Sequence, residues 1–197
     1  ALDRMADFMD ERTQVGALGP LLLNEDDSVQ ISFGKMHGLV SEFFQKCLNR
    51  GYADGTGPLR GYVTRQHSRE RNPDWVSGAC LMTRRELLER VGGFDEKFFL
   101  YSEDVDLCAR LRATGKTILF TPEVKVKHLK GRSTSKTAER TLLESHRSRL
   151  YFYSKHYGRW RLLLLKRYLR VKLKLASLFR PELRRNYESL IRVTKQF

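Results

Sequence analysis

Apolar residues recur at the helical period in four segments of the first 115 residues. This pattern predicts helices over ALDRMADFMDER, HGLVSEFFQKCL and RRELLERV, and a fourth helix from about Glu103 to Thr114. We expect Thr83 to cap the N-terminus of the third helix and Ser102 that of the fourth, and Gly115 to end the fourth.

Short apolar runs bounded by Gly, Pro and polar residues predict strands. They indicate a buried strand VGALGPLLL, a turn and an alternating strand in NEDDSVQISF, a strand from Ala79 to Met82, and two short strands in TILFTP and VKVKH. The segment from Asn49 to Asp74 is rich in Gly and polar residues and predicts a long loop. Strands that alternate with helices predict an α/β layer architecture.

Three cysteines, Cys47, Cys80 and Cys108, lie in apolar surroundings and form no CxxC pair. An odd number of such cysteines predicts buried free thiols in a protein of a reducing compartment. The chain has 197 residues, enough for one substantial core with an appendage. No apolar run approaches the roughly 18 residues that a membrane-spanning helix needs.

The formal charge of +14 is concentrated at one end of the chain. Residues 146–197 include 15 Lys or Arg and two Glu, whereas the first 145 residues hold 22 bases and 21 acids. The basic character therefore belongs to a C-terminal tail, which is predicted to be helical from about residue 137.

Within this tail, WRLLLLKRYLRVKLKLASLF predicts an amphipathic helix with basic residues beside an apolar stripe. Such a helix fits an anionic membrane interface. A helix packed on the domain with a solvated basic face is the alternative. Nucleic acid is a third and less favoured partner, because the apolar stripe is continuous. The stripe consists of Trp160, Leu164, Tyr168, Val171, Leu175 and Leu178.

Three acids, Glu103, Asp104 and Asp106, crowd the predicted start of the fourth helix. Acids in a first turn stabilise a helix by roughly 0.3–1 kcal/mol through its macrodipole, without any catalytic duty. The same dipole favours the ionised carboxylate that a general base needs at neutral pH. Spacing alone favours the stabilising role.

An ordered series of motifs gives these acids a context. The chain has W-x-S-G-A at residues 75–79, G-G-F-D-E at 92–96, S-E-D-V-D at 102–106 and V-x-H at 126–128. This series resembles the C-terminal half of family 2 inverting glycosyltransferases of GT-A fold. The likeness covers roughly residues 1–155 and is strongest to bacterial rhamnosyltransferase-type members that build cell-surface polysaccharides.

The resemblance implies a partial GT-A, Rossmann-like α/β domain. Residues 1–136 would be its acceptor and catalytic-base part, and residues 137–197 a helical, basic, amphipathic tail. In this family the nucleotide-binding half and its metal-binding DxD motif precede the segment matched here. We therefore expect the chain to be a fragment that is inactive by itself.

The resemblance also assigns roles to individual residues. Asp104 matches the general base and Glu103 would orient the site. The acceptor-side wall corresponds to Trp75, Ser77, Gly78 and Ala79, since an indole gives a sugar ring an apolar face and small residues allow close approach. A Trp that covers the edge of the core is the alternative for Trp75.

His128 matches a position that contacts the metal or the donor diphosphate in some members of the family. Lys130 and Arg132 follow it and would meet phosphate, although a solvated basic loop is the simpler interpretation. The implied cofactor is a divalent metal, Mg²⁺ or Mn²⁺.

The function implied is inverting transfer of a sugar, with rhamnose expected, from a nucleotide-diphosphate sugar to a lipid-linked or cell-surface glycan. The expected location is cytoplasmic, peripheral on the inner face of the cell membrane, with the tail on anionic lipid and no nucleic-acid partner. The alternative is a non-catalytic basic α/β module that binds an anionic membrane or nucleic acid.

Overall fold

A computed structural model describes residues 1–55, 57–129, 138–179 and 184–196. They form two compact units: Ala1–Asp95 with Asp104–Lys130, and Glu96–Glu103 with Gly131–Phe197. We call them the α/β unit and the helical unit. In chain order, the elements are α1 Leu2–Glu11, β1 Val15–Leu23, β2 Phe33–Gly34, α2 Leu39–Ala53, α3 Gly57–Gln66, β3 Trp75–Val76, β4 Met82–Thr83, α4 Arg85–Arg90, α5 Glu103–Ala113, β5 Thr117–Lys127, α6 Ala138–His156, α7 Arg159–Phe179 and α8 Arg184–Gln196.

Strand β1 is the centre of a mixed three-stranded sheet with the order β4-β1-β5. It runs antiparallel to β4 and parallel to β5, with Leu18 opposite Met82 on one side and Leu119 on the other. Parallel strands require a crossover connection, which here contains the helices between β1 and β5. The predicted mixed α/β architecture is confirmed, and it is consistent with a partial GT-A domain.

Both faces of β1 are covered by apolar side chains. Ala17 and Leu21 belong to a cluster that includes Leu107 and Leu111 of α5. Val15 and Leu18 belong to a second cluster with residues of α1. The predicted buried strand and the N-terminal helix are therefore confirmed, because each apolar run finds a partner surface. The α1 residues of that cluster are Met5, Phe8 and Met9.

A second, two-stranded sheet pairs β2 with β3 in antiparallel fashion, with Gly34 opposite Trp75. The Asp74 carboxylate stabilises its edge by accepting a hydrogen bond from Met36 N at 2.9 Å and pairing with Arg112 at 3.1 Å. The pairing of β2 with β3 places Trp75 at the surface of the α/β unit, where the candidate site lies.

The prediction of a long loop from Asn49 to Asp74 is wrong. Helix α2 continues to Ala53, and α3 occupies Gly57–Gln66 within the remaining segment. Gly51 is buried against Leu59, whose Cδ1 would lie 2.0 Å from a Cβ at that position. The glycine that suggested a loop therefore allows two helices to approach closely, and tertiary packing outweighs its poor helix propensity.

The predicted range of the strand from Ala79 to Met82 is also wrong, since β4 contains only Met82 and Thr83. Thr83 does not cap α4: it lies in the strand, and its hydroxyl donates to Gly16 O at 2.7 Å. The N-cap is Arg84.

TILFTP and VKVKH form one strand, β5, rather than two. The register of β5 against β1 shifts between Pro20 and Leu21. Each strand has a proline in this region, Pro20 and Pro122, and a proline cannot donate a ladder hydrogen bond. Helix α5 agrees with its predicted range, and Gly115 follows it in the left-handed conformation at φ 84°.

The helical unit consists of α6, α7 and α8 with the short segment Glu96–Glu103. Phe98 of that segment contacts Tyr151 with ring centroids 4.8 Å apart, and Ser148 donates to Leu100 O at 2.8 Å. The predicted helical character of the tail is confirmed. The functional boundary predicted at residues 136 and 137 falls outside the described residues and stays a prediction.

The prediction that all three cysteines are buried is confirmed for Cys108 alone. Cys108 is buried, Cys80 is half-buried and Cys47 is exposed on α2. Cys47 is exposed because α2 turns that side of its apolar stripe, with Phe43 and Phe44, towards solvent. Among the described residues, no helix is long and apolar enough to cross a membrane.

Candidate active site

Asp104 lies in the first turn of α5, and both of its carboxylate oxygens accept backbone hydrogen bonds. Gly78 N donates to Oδ2 at 2.9 Å, and Val105 N donates to Oδ1 at 2.8 Å. The side chain is half-buried. The structure thus joins Asp104 directly to the predicted acceptor wall, which is 26 residues away in sequence.

Burial raises the pKa of Asp104 above the ordinary aspartate value, while the N–H groups of Gly78 and Val105 oppose that rise. Loss of solvation therefore outweighs the backbone hydrogen bonds in setting the pKa of Asp104. The predicted contribution of the helix dipole, which favours the ionised form, stays a prediction. A raised pKa makes the carboxylate a stronger proton acceptor once it is ionised.

Two residues before α5 have unusual backbone conformations. Tyr101 and Ser102 have φ angles of 64° and 69°, in the left-handed region that residues other than Gly rarely adopt. Such conformations cost of order 1–3 kcal/mol each and cluster at functional sites. This bend starts the helix at Glu103, which is half-buried and precedes Asp104 directly. Asp106, in contrast, is fully buried and pairs with Arg110 at 2.7 Å, as befits a structural residue.

The wall residues Ser77, Gly78 and Ala79 form a turn after β3. Ser77 N donates to Ser32 O at 2.7 Å, and Ala79 N lies 3.3 Å from the Ser77 hydroxyl oxygen. Gly78 and Ala79 are exposed. A Cβ at Gly78 would lie 3.2 Å from Asp104 Cβ, so a glycine here allows the carboxylate to approach the turn.

Trp75 is half-buried, and its indole N–H donates to Lys35 O at 2.9 Å. Its ring packs over Gly34, where an added Cβ would lie 3.0 Å from the indole. Trp75 packs against the core cluster and also lines a cleft. Both roles weighed from the sequence are therefore compatible with its position.

His128 follows β5 and is held by Gln30, a residue that the sequence analysis missed. Gln30 Nε2 donates to His128 O at 2.6 Å, and Gln30 Oε1 lies 3.0 Å from His128 Nδ1. Because an amide oxygen can only accept, the neutral ring carries its proton on Nδ1. The lone pair of Nε2 then faces away from Gln30, which is the arrangement that ligating histidines need.

Other predicted ligands are less well defined. Lys130 and Arg132 lie outside the described residues. Within the described ranges, no group of three His, Cys, Asp or Glu residues could hold a metal ion. His128 fits a divalent metal by its tautomer, but as a single ligand.

Comparison with known proteins agrees with the motif order. Residues 55–149 match the family described as glycosyltransferase like family 2. The N-acetylglucosaminyl-diphospho-decaprenol L-rhamnosyltransferase of Mycobacterium tuberculosis (strain H37Rv) is 34% identical over 162 residues, which are 82% of this chain and 53% of that protein.

Two further bacterial relatives support the same resemblance. Rhamnosyltransferase WbbL of Escherichia coli (strain K12) is 32% identical over 49% of this chain and 30% of its own length. The O-antigen biosynthesis protein RfbC of Myxococcus xanthus is 32% identical over 60% of this chain and 9% of its own length. No solved structure matches the chain significantly.

The chain thus spans about half of the M. tuberculosis relative and less of the other two. The family match covers the turn at Gly78 and the start of α5, where Asp104 lies. The resemblance predicted from the motifs is confirmed: residues 55–149 match a family 2 glycosyltransferase domain, and the chain is similar to bacterial rhamnosyltransferases.

Proposed function

We propose that this chain is the acceptor and catalytic-base part of an inverting glycosyltransferase. The enzyme would transfer a sugar from a nucleotide-diphosphate sugar to a lipid-linked or cell-surface glycan. Rhamnose is the sugar we propose, because two relatives are named rhamnosyltransferases. The observation that carries the proposal is the contact between the half-buried Asp104 carboxylate and the exposed turn at Gly78.

In this mechanism Asp104 is the general base. An acceptor hydroxyl oxygen attacks the anomeric carbon, its proton passes to the Asp104 carboxylate, and the bond to the donor diphosphate breaks on the opposite side. A single displacement inverts the anomeric centre. The raised pKa of Asp104 favours proton uptake, and the Gly78 and Val105 N–H groups hold the carboxylate in place.

The remaining residues would position the substrates. Trp75 offers a ring face to a sugar, and the small residues Gly78 and Ala79 leave the space in front of Asp104 accessible. His128, with its proton on Nδ1, would hold the donor diphosphate or a metal ion through Nε2. A divalent metal, Mg²⁺ or Mn²⁺, would supply positive charge to the departing diphosphate.

The test is Asp104→Asn in the full-length enzyme, with transfer of sugar from donor to acceptor as the readout. Loss of a general base should lower kcat by about 10²- to 10⁴-fold. Glu89→Gln, an exposed carboxylate on α4, is the matched control and should retain activity. Transfer at near wild-type rate by Asp104→Asn would show that another group takes the proton.

We also propose that the isolated chain does not transfer sugar, because the relative with this activity has about twice the matched length. Calorimetric titration of the 197-residue chain with a nucleotide-diphosphate sugar should give weak or undetectable heat. Micromolar binding would contradict this proposal.

We further propose that α7 lies on the anionic inner surface of the cell membrane. Leu165, Leu169 and Leu173 are buried on one side of α7. The apolar stripe predicted from the sequence lies on another side and is exposed, with Trp160 at 81% and Leu178 at 75%. At 100° per residue, exposed cations flank this stripe on both edges; they are Arg161, Arg167, Lys172 and Lys174.

This arrangement has the properties of an interfacial helix. Apolar side chains enter the boundary between headgroups and acyl chains, and each nearby cation contributes roughly 1 kcal/mol on an anionic surface. The packed side of α7 remains in contact with α6 and α8. The protein would therefore be peripheral and cytoplasmic.

Sedimentation of the full chain with vesicles tests the membrane proposal. Binding should require anionic phosphatidylglycerol, and the double variant Leu164→Ser with Leu175→Ser should weaken it by about tenfold or more. Leu142→Ser, at an exposed leucine of α6, is the control and should bind normally. Binding that is indifferent to lipid charge would refute the proposal, and preference for RNA would favour the nucleic-acid alternative.

A further inference from the structure

A cleft of about 510 Å³ opens in the α/β unit beside Trp75. Its walls are the turn from Asn24 to Ser28, the following residues 29–31, and parts of α2 and α3. The volume is within the roughly 300–1,000 Å³ typical of small-molecule sites. Trp75 is the one predicted site residue among those that line it.

The residues that line the cleft suit a neutral ligand that is rich in hydroxyl groups. Four of the residues that line the cleft carry side-chain amides, and an amide can both donate and accept hydrogen bonds. Tyr52 and Trp75 add aromatic surface. Among the described residues of the lining, Asp26 and Arg60 carry the charges, one of each sign. The four amides belong to Asn24, Gln30, Gln45 and Asn49.

This composition distinguishes among ligand classes. A diphosphate needs several cations, and a lipid chain needs a continuous apolar wall. A pyranose ring presents hydroxyl groups that donate and accept hydrogen bonds, together with a C–H face that packs on an aromatic ring. The mixture of amides and aromatic rings suits the pyranose.

Several walls are held in place by bonds within the protein. Asp26 Oδ1 accepts from both the backbone N and the hydroxyl of Ser28, at 3.1 and 2.6 Å, and Asn24 Nδ2 donates to the same hydroxyl oxygen at 2.8 Å. Gln30 is buried and tied to His128. Side chains that are already ordered lose little entropy when a ligand binds.

One short segment of the chain links the cleft to the proposed base. Trp75 and Gly78 are three residues apart, so their Cα atoms are separated by at most roughly 11 Å. Gly78 N in turn donates to Asp104. Residues 75–78 therefore connect the aromatic wall of the cleft with the backbone group that binds the carboxylate.

We propose that this cleft binds a pyranose ring of the glycan acceptor. The inference rests on the proposed function, and it names the substrate class that the cleft selects. The ring hydroxyls form hydrogen bonds with Asn24, Gln45 and Asn49. The apolar face of the ring packs on Trp75 or Tyr52.

Titration of the ¹⁵N-labelled chain with methyl N-acetyl-β-glucosaminide, followed by amide shifts, tests the proposal. Saturable shifts are expected at residues of the cleft. Removal of one hydrogen-bonding amide by Asn49→Ala should weaken binding by about 2- to 10-fold. Asn72→Ala, at an exposed asparagine outside the cleft, is the matched control and should bind as the wild type does.

Three results would overturn the proposal: no saturable shifts in the cleft, equal binding by Asn49→Ala, or displacement of the sugar by inorganic pyrophosphate. In the full-length enzyme, Asn49→Ala should raise the KM for acceptor and leave kcat within about twofold. If the sugar binds in the cleft but Asp104→Asn retains transfer, the proposed base fails while the cleft stands. If Asp104→Asn abolishes transfer but no sugar binds, only the cleft assignment fails.

Discussion

Strand β1 and helix α7 are both rich in leucine, yet their environments differ. All positions of β1 from Val15 to Leu22 are buried, because α1 covers one face of the sheet and α5 the other. Helix α7 buries Leu165, Leu169 and Leu173 but exposes a second apolar stripe. Apolar content therefore does not decide burial; the number of covered faces does.

The difference also separates two kinds of apolar residue within α7. The residues at 165, 169 and 173 follow one line along the helix, and those at 164, 168 and 175 follow another. A sequence pattern identifies both lines, but it cannot show which line meets α6 and α8. Only the first line contributes to the core, so the second is available for another surface.

The largest effect on stability is expected when single leucine side chains are shortened to alanine on the buried and the exposed side of α7. Leu169 is 2% exposed and Leu175 is 51% exposed. Leu169→Ala should lower the free energy of unfolding by about 2–5 kcal/mol, because it leaves a cavity. Leu175→Ala should change it by no more than about 0.5 kcal/mol. Denaturant unfolding of the full chain measures both, and equal losses would show that the exposed stripe is part of the core.

A second prediction concerns the covered strand. Gly19 of β1 lies against Val76, where an added Cβ would be 2.6 Å from Val76 Cβ. Gly19→Ala should therefore destabilise the protein by about 1–3 kcal/mol through overpacking.

Gly61→Ala is the control for Gly19→Ala. It lies on α3, where an added Cβ meets no atom within 4 Å. It should stabilise the protein by about 0.4–1 kcal/mol by restricting the unfolded chain. Thermal unfolding compares the two variants. A neutral Gly19→Ala would mean that the sheet can shift to accept a methyl group.

The smallest effect is a pH dependence at His67, which is buried against Phe33 and Phe120. Burial lowers the pKa of His67 below 6.5. Below about pH 6.5 the unfolded chain therefore takes up a proton that the folded chain does not. Stability is full above that pH and falls as the pH drops, by at most about 1.4 kcal/mol per pH unit.

Unfolding at several pH values between neutrality and mild acid measures this dependence. His67→Phe keeps an aromatic ring between Phe33 and Phe120 and removes the titrating group. The variant should lose less stability on acidification than the wild type. Identical slopes for the two proteins would exclude His67 as the cause.

Much of the fold could be predicted from the chain itself. The periodicity of Met5, Phe8 and Met9 and the unbroken apolar run of β1 depend on neighbours along the chain, and both predictions are confirmed. The prediction of a loop from Asn49 to Asp74 is wrong because Gly51 is a contact point between two helices, where it packs against Leu59. Local propensity cannot register such a contact.

The candidate site divides in the same way. Asp104 and the turn at Gly78 could be named from motif order, since each lies in a distinct local sequence. Gln30 could not be named, because its amide is ordinary until β1 and β5 pair and bring it to His128. The cleft is not predicted by the sequence pattern, because five of its lining residues lie in the segment predicted as a loop; they are Asn49, Tyr52, Ala53, Gly55 and Arg60.

The sequence by itself determined the resemblance to family 2 glycosyltransferases, the identities of the candidate base and wall residues, the positions of most elements and the basic tail. Each of these depends on residue type and on spacing along the chain. Only the tertiary structure decided that Asp104 meets Gly78, that burial raises its pKa, that Gln30 fixes the tautomer of His128, and that one stripe of α7 is exposed. These properties depend on contacts between residues distant in sequence and on how much water each residue retains, which no local pattern encodes.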